Sequence, residues 1–108
     1  DGLLIKENAP VAIYNATSVV GLATKEADLL KSYGYNVTTV DSLPKATDPA
    51  KSTLIDLGNS ADKYTRHYLE QRLGLTARNS LPAGIGTTPP SGTKFVIIIG
   101  KDAQNSLQ

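Results

Sequence analysis

Lys94-Phe95-Val96-Ile97-Ile98-Ile99-Gly100 is the most continuously apolar run of the chain, and its reading decides the fold. Successive side chains of a strand point to opposite faces, so Phe95, Ile97 and Ile99 share one face and Val96 and Ile98 the other. A strand apolar on both faces belongs in the middle of a sheet, or in a sheet whose second face is also covered. Gly100 closes it.

Three further strands can be set around that one. Pro10 precedes Val11-Ala12-Ile13-Tyr14, a short apolar run that turns Val11 and Ile13 inward. Tyr35 to Val40 is aromatic and β-branched, the composition that fits a pleated surface. Ser52 to Leu57 places Thr53, Ile55 and Leu57 on one face and Leu54 and Asp56 on the other. Between the first two strands, Leu22, Ala23, Glu26, Ala27, Leu29, Leu30 and Tyr33 form one stripe of helical period, interrupted only by Glu26. Thr17 or Ser18 is the expected N-cap of that helix and Gly34 its stop. Ser60 is the expected cap of a second helix reaching Leu73, with Ala61, Tyr64, Tyr68, Leu69 and Leu73 inward and Gly74 ending it.

Leu75 to Arg78 reads as a short edge strand, and Leu43 to Lys51 as a loop broken by Pro44 and Pro49. Ser80 to Thr93 holds Pro82, Gly84, Gly86, Pro89, Pro90 and Gly92, the composition of an exposed, mobile loop. The order is therefore β-α-β-β-α-(β)-β. It predicts an α+β, ferredoxin-like sandwich, with two helices on one face of a mainly antiparallel sheet. The domain spans residues 10–102, after a lead-in of residues 1–9 whose Leu3, Leu4 and Ile5 can pack on it, and before a tail of residues 103–108.

Composition agrees with one core. The chain has 108 residues, 40% of them hydrophobic and 19% charged, which is ordinary for a single globular domain. The net charge is +1, with basic residues scattered along the chain rather than gathered in a stripe, so no nucleic-acid partner is expected. Absence of Cys excludes disulfides, thiol catalysis and thiolate metal sites. The chain has no Met, although natural chains start with one, so a processed or excised piece of a longer protein is expected. Asp1 to Lys6 is too short and too charged for a membrane span, which puts any membrane anchor upstream in a parent chain.

Chemistry-bearing groups are sparse. His67 is the sole histidine, so neither a histidine metal cluster nor a persuasive Ser-His-Asp set can be assembled, and no cofactor is expected. Asp56 and Asp62 lie on a strand and a helix with nothing to set their separation as an acid/base pair. The loop Asn15 to Gly21, at a helix N-terminus, offers amides and hydroxyls to a carboxylate, a phosphate or sugar hydroxyls. Equally, Asn15 can simply hold its own turn by backbone hydrogen bonds. Asp102 can accept from a ligand hydroxyl or bond local backbone amides. In a ferredoxin-like layout the ends of the first and last strands lie at opposite edges, so these two motifs would not share a site.

Val11-Ala12-Ile13-Tyr14-Asn15-Ala16-Thr17, then Gly21-Leu22-Ala23, Leu30-Lys31-Ser32-Tyr33-Gly34-Tyr35-Asn36-Val37, and finally Phe95-Val96-Ile97-Ile98-Ile99-Gly100-Lys101-Asp102 resemble the LytR C-terminal domain. That domain follows the catalytic domain in many LytR–CpsA–Psr proteins of Gram-positive and actinobacterial envelopes and also occurs alone. Ala16 stands where the family usually has Gly, and Val20 where it often has Pro; the closing Gly-x-Asp is retained as Gly100 and Asp102.

The resemblance implies a non-catalytic, extracytoplasmic accessory domain of a membrane-anchored envelope protein. The neighbouring catalytic domain would transfer glycopolymer from a lipid pyrophosphate carrier to peptidoglycan. Expected partners are cell-wall glycan or another envelope protein. The residues expected to contact glycan are Asn15, Thr17, Ser18 and Asp102, with Tyr14 or Tyr64 stacking on a sugar. The alternative is a protein-interaction or oligomerisation module acting through a sheet edge or exposed face.

Overall fold

The computed structural model describes residues 2–103. Its elements run α1 (Gly2–Glu7), β1 (Pro10–Asn15), α2 (Leu22–Ser32), β2 (Asn36–Ser42), β3 (Thr53–Asp56), α3 (Lys63–Leu73) and β4 (Phe95–Ile99). The four strands form one sheet in the order β2-β1-β4-β3. β1 pairs parallel with β2 and parallel with β4, while β3 pairs antiparallel with β4. The fold is thus α+β with a mixed sheet, not the mainly antiparallel ferredoxin-like sheet expected. The difference lies in two choices: β4 runs parallel to β1 rather than antiparallel, and the other neighbour of β1 is β2. β2 lies directly beside β1, where a split β-α-β unit would leave room for another strand between them. Residue period sets which faces are apolar but carries no information on which neighbour a crossover selects.

β4 lies inside the sheet, between β1 and β3, and all five of its residues are buried. On one face Phe95, Ile97 and Ile99 join Val11, Ile13 and Leu54 beneath Leu22, Ala23, Ala27 and Leu30 of α2, Leu69 of α3 and Leu4 of α1. All three helices therefore cover the same face. The lead-in to β1 is itself a helix, anchored by Leu4. On the other face Ala12, Tyr14, Ala16, Ile55, Val96 and Ile98 are buried under Leu43, Leu81 and Ile85, which come from loops. The Pro- and Gly-rich segment 80–93, expected as an exposed loop, thus acts in part as a cover. Leu43, Leu81 and Ile85 are partly buried, so each contributes less than the ~1.5–3 kcal/mol of a fully buried side chain, and together they hold the loops down without regular structure.

Several local expectations change with the tertiary structure. Residues 75–78 give only a single parallel bridge, Arg78 to Ile55. Neither Thr17 nor Ser18 caps α2; its N-cap is Gly21, at φ 90, with no side-chain cap bond. Ser60 does not cap α3 either. Instead the Glu7 carboxylate reaches across from α1 and accepts from the Tyr64 amide at 3.1 Å and the Thr65 amide and hydroxyl at 2.7 and 2.6 Å. Burial works upward on the Glu7 carboxyl, but the hydrogen bonds from Thr65 and Tyr64 outweigh it and hold it below the usual carboxylate range. Gly34 and Gly74 end their helices in left-handed conformations, φ 99 and 67, as expected.

Candidate functional site

The carboxyl ends of β1 and β4 emerge side by side, because the two strands are parallel neighbours with Asn15 opposite Ile99. The Ala16 amide donates to the Ile99 carbonyl at 3.1 Å and extends the ladder past the strands. Asn15, Thr17, Ser18 and Asp102 consequently follow two neighbouring strands at one end of the sheet, where a ferredoxin-like layout would have separated them.

Asn15 is buried and organises its loop. Its Oδ1 accepts from the Thr17 amide at 2.8 Å and the Thr17 hydroxyl at 2.7 Å, and its Nδ2 donates to the Val19 carbonyl at 2.8 Å. Thr17, also buried, accepts from the Val19 amide at 3.1 Å. Exposed Ser18 donates its amide at 2.7 Å, and its hydroxyl, to the two carboxylate oxygens of Asp48. The Ser18 hydroxyl and amide hold the Asp48 carboxyl below its ordinary value. Asp48 has φ 50, a left-handed conformation that costs a non-glycine residue about 1 kcal/mol, and its amide bonds Ala16. Backbone hydrogen bonding by Asn15 within its own turn, one of the two readings of this residue, is therefore present, and Ser18 and Ala16 tie that turn to Asp48.

Asp102 works at longer range than local amides. Its Oδ1 accepts from the Ser52 amide at 2.9 Å and the Ser52 hydroxyl at 2.7 Å, and that hydroxyl in turn accepts from the Gly100 amide at 2.9 Å. The Lys101 and Asp102 amides donate to Pro49 and Ala50 at 2.8 and 3.2 Å. Segment 49–52 is thereby clamped to the exit of β4. The approach is so close that a Cβ on Gly100 would lie 2.5 Å from the Lys51 carbonyl.

Beside this clamp, between the ends of β1 and β2 and the start of α2, lies a shallow polar groove of about 110 Å³. Asn15, Gly21, Thr24, Val40, Asp41 and Ser42 line most of it. An amide, two hydroxyls and a carboxylate there can bond the hydroxyls of a sugar. Asp41 and Ser42 were not legible as site residues, because only the β1–β2 pairing, Asn15 opposite Ser42, brings them to Asn15; Thr24 joins them from the first turn of α2. Neither expected stacking ring borders the groove. Tyr14 is buried in the loop-covered face, where burial first and the Asp41 charge second raise its hydroxyl above the ordinary value. Tyr64 sits in the first turn of α3, bonded to Glu7, beyond the opposite ends of the strands.

The remaining chemistry-bearing groups are structural. Asp56 is fully buried and accepts from the Gly58 amide at 2.9 Å, the Ser60 amide at 3.1 Å and the Arg66 guanidinium at 3.1 Å. Arg66 also bonds Ser60, Asn79 and Ala77 and lies 3.6 Å from Glu70. Asp62 approaches the same turn at Gly58, and its carboxyl is raised, first by burial and then by the charge of Glu7. His67 is exposed and stands edge-on to Tyr68, ring centroids 5.3 Å apart. Among the described residues no group of three or more His, Cys, Asp or Glu could hold a metal ion, and no helix is long and apolar enough to cross a membrane.

Against known proteins, residues 8–102 match the family described as LytR cell envelope-related transcriptional attenuator. The solution structure of the C-terminal domain of RV0431 is 28% identical in sequence and superimposes with a TM-score of 0.52, over 85% of this chain and 71% of that one. No curated protein matches the sequence.

Proposed function

Because this chain belongs to the LytR C-terminal domain family, a family of cell-envelope association, we propose that it is a non-catalytic, extracytoplasmic accessory domain that contacts cell-wall glycan. The contact would help to position a polymer-transferring catalytic domain of the same parent protein. The observation that supports glycan contact is the polar groove at the carboxyl ends of two parallel strands, where ligands of open sheets containing parallel strands commonly bind. In this reading Asn15 and Thr17 shape the rim and Asp102 braces it. Ser18, Thr24, Asp41 and Ser42 offer hydrogen bonds to sugar hydroxyls. Absence of a bordering aromatic ring points to hydrogen bonding without stacking, hence to weak contacts that gain strength through repetition along a polymer.

Titration of the ¹⁵N-labelled domain with muropeptides, peptidoglycan fragments and anionic glycopolymer tests this. Saturable shifts confined to residues 15–24 and 41–42 support it. Their absence with every glycan overturns it.

A second reading, a protein-interaction or oligomerisation module acting through a sheet edge, is favoured by the outer position of β2. Strand addition requires such an edge. Against it, β2 carries an extra residue at Thr38, where Val11 and Ala12 face Val37 and Thr39, and bulges of this kind blunt edges. A mass that rises with concentration, and falls back in Val40→Lys, would favour this reading over the first.

A further inference from the structure

We propose that the cavity on the loop-covered face of the sheet is a binding site for a compact apolar acid, a short branched-chain or aromatic carboxylate. The cavity measures about 210 Å³, and Leu43, Lys45, Thr53, Pro82, Ile85 and Ile98 are among the residues that line it. Apolar cavities of ~150 Å³ accommodate a benzene-sized guest, so this one takes a branched acyl or phenyl group with room to spare. The proposal is independent of the glycan groove, which lies across the strand ends and shares no lining residue with this cavity.

Three observations carry it. First, the face is apolar and would ordinarily be closed by a helix, yet two loops close it and leave space between them. Second, those loops are braced against each other at the cavity's border. Gly86 has φ 75, and a Cβ there would lie 3.4 Å from the Pro44 ring, so the walls meet at a defined point. Third, Lys45 is the one charged residue on the lining, and it has no ion-pair partner among the described residues. An apolar body with one anionic end is complementary to that lining, to which Thr47 and Thr53 add two hydroxyls. A cation or a polyhydroxylated molecule is not complementary, because the apolar lining would strip water from groups it cannot bond.

The test is a ¹⁵N NMR titration of the whole chain with 4-methylpentanoate and benzoate, each compared with its uncharged amide at constant ionic strength. Expected are saturable shifts at Ala16, Thr47, Thr53, Gly84, Ile85 and Ile98, with the amides about fivefold weaker, the size of a partly exposed charge pair. In Lys45→Gln, a change at an exposed position that the fold tolerates, acid and amide should bind alike. The proposal is overturned by the absence of a saturable shift with either acid, by equal binding of acid and amide to the unaltered chain, or by shifts spread over the other lysines.

Discussion

Replacing Gly100 by alanine should destabilise the domain far more than a single methyl group ordinarily does. The new Cβ would lie 2.5 Å from both C and O of Lys51 and 2.7 Å from the Pro49 carbonyl oxygen. Carbon–carbon contacts are comfortable only near 3.5–4.0 Å, so the backbones must separate by about 1 Å. Such a shift breaks what the close approach permits. The bonds at risk are Lys101 to Pro49 at 2.8 Å, Asp102 to Ala50 at 3.2 Å, and the Gly100–Ser52–Asp102 chain at 2.7–2.9 Å. Overpacking costs about 1–3 kcal/mol, and each lost hydrogen bond about 1 kcal/mol net. Partial relaxation offsets some of the sum, leaving roughly 3 kcal/mol against the 5–15 kcal/mol typical of a whole domain. That corresponds to a fall in Tm of roughly 12–24 °C for a chain of this size. Urea and thermal denaturation followed by circular dichroism measure it. Gly2→Ala is the control, since a Cβ there meets nothing within 4 Å. A loss below about 1 kcal/mol for Gly100→Ala, indistinguishable from the control, would refute the reasoning.

Glu26→Leu should stabilise the fold at neutral pH by about 1 kcal/mol, because the residue is buried in the apolar stripe of α2. Burial raises the Glu26 carboxyl above its ordinary 4.5, with Arg72 opposing. The folded state therefore binds this proton more tightly than the unfolded one, and stability falls as pH rises from about 4.5 through the raised value; the leucine variant should lose that slope in denaturation curves taken across pH. Glu7→Ala should cost about 1 kcal/mol by uncapping α3, read by urea denaturation and by faster amide exchange at Tyr64 and Thr65. Its pH dependence has the opposite sign: the Glu7 carboxyl is held low, so its stabilisation is complete above about pH 4.5 and is lost as pH falls through the lowered value. Asp56→Asn should cost about 1.5–3 kcal/mol in the same urea measurement, since it weakens the charge-assisted bonds that the buried carboxylate accepts from Arg66 and from the Gly58 and Ser60 amides.

Strand and helix identity was legible where the apolar period was strong, even across the single interruption at Glu26. Phe95 to Ile99 had to be interior because both of its faces are apolar, and the Leu22–Leu30 stripe had to face a sheet. The two glycine stops were legible because few other residues accept the left-handed turn. Caps were less so: Thr17, Ser18 and Ser60 are good capping types, yet Gly21 and the distant Glu7 occupy those roles. Capping type is a local preference, and a carboxylate delivered by another helix outcompetes it without any trace in the neighbouring sequence.

The sequence by itself determined that β4 would be interior, that the Leu22–Leu30 face of α2 would turn inward, that the two long helices stop at Gly34 and Gly74, and that no cysteine or histidine cluster was present to build a metal or thiol site; it did not determine burial everywhere, since Tyr33 and Ala61, expected inward, are exposed, and Leu81 and Ile85, expected in an exposed loop, cover the core. Only the tertiary structure decided that β2 and β4 flank β1, both parallel to it. That pairing brings Asn15, Asp41 and Asp102 to one end of the sheet and leaves a loop-covered cavity on the face away from the helices. The physical reason is that burial depends on a residue's own side chain and its period, whereas strand pairing is a contest between neighbours of nearly equal backbone energy. Contacts such as Gly100 on Lys51 and Ser52 on Asp102 help to settle that contest, and each joins segments about fifty residues apart.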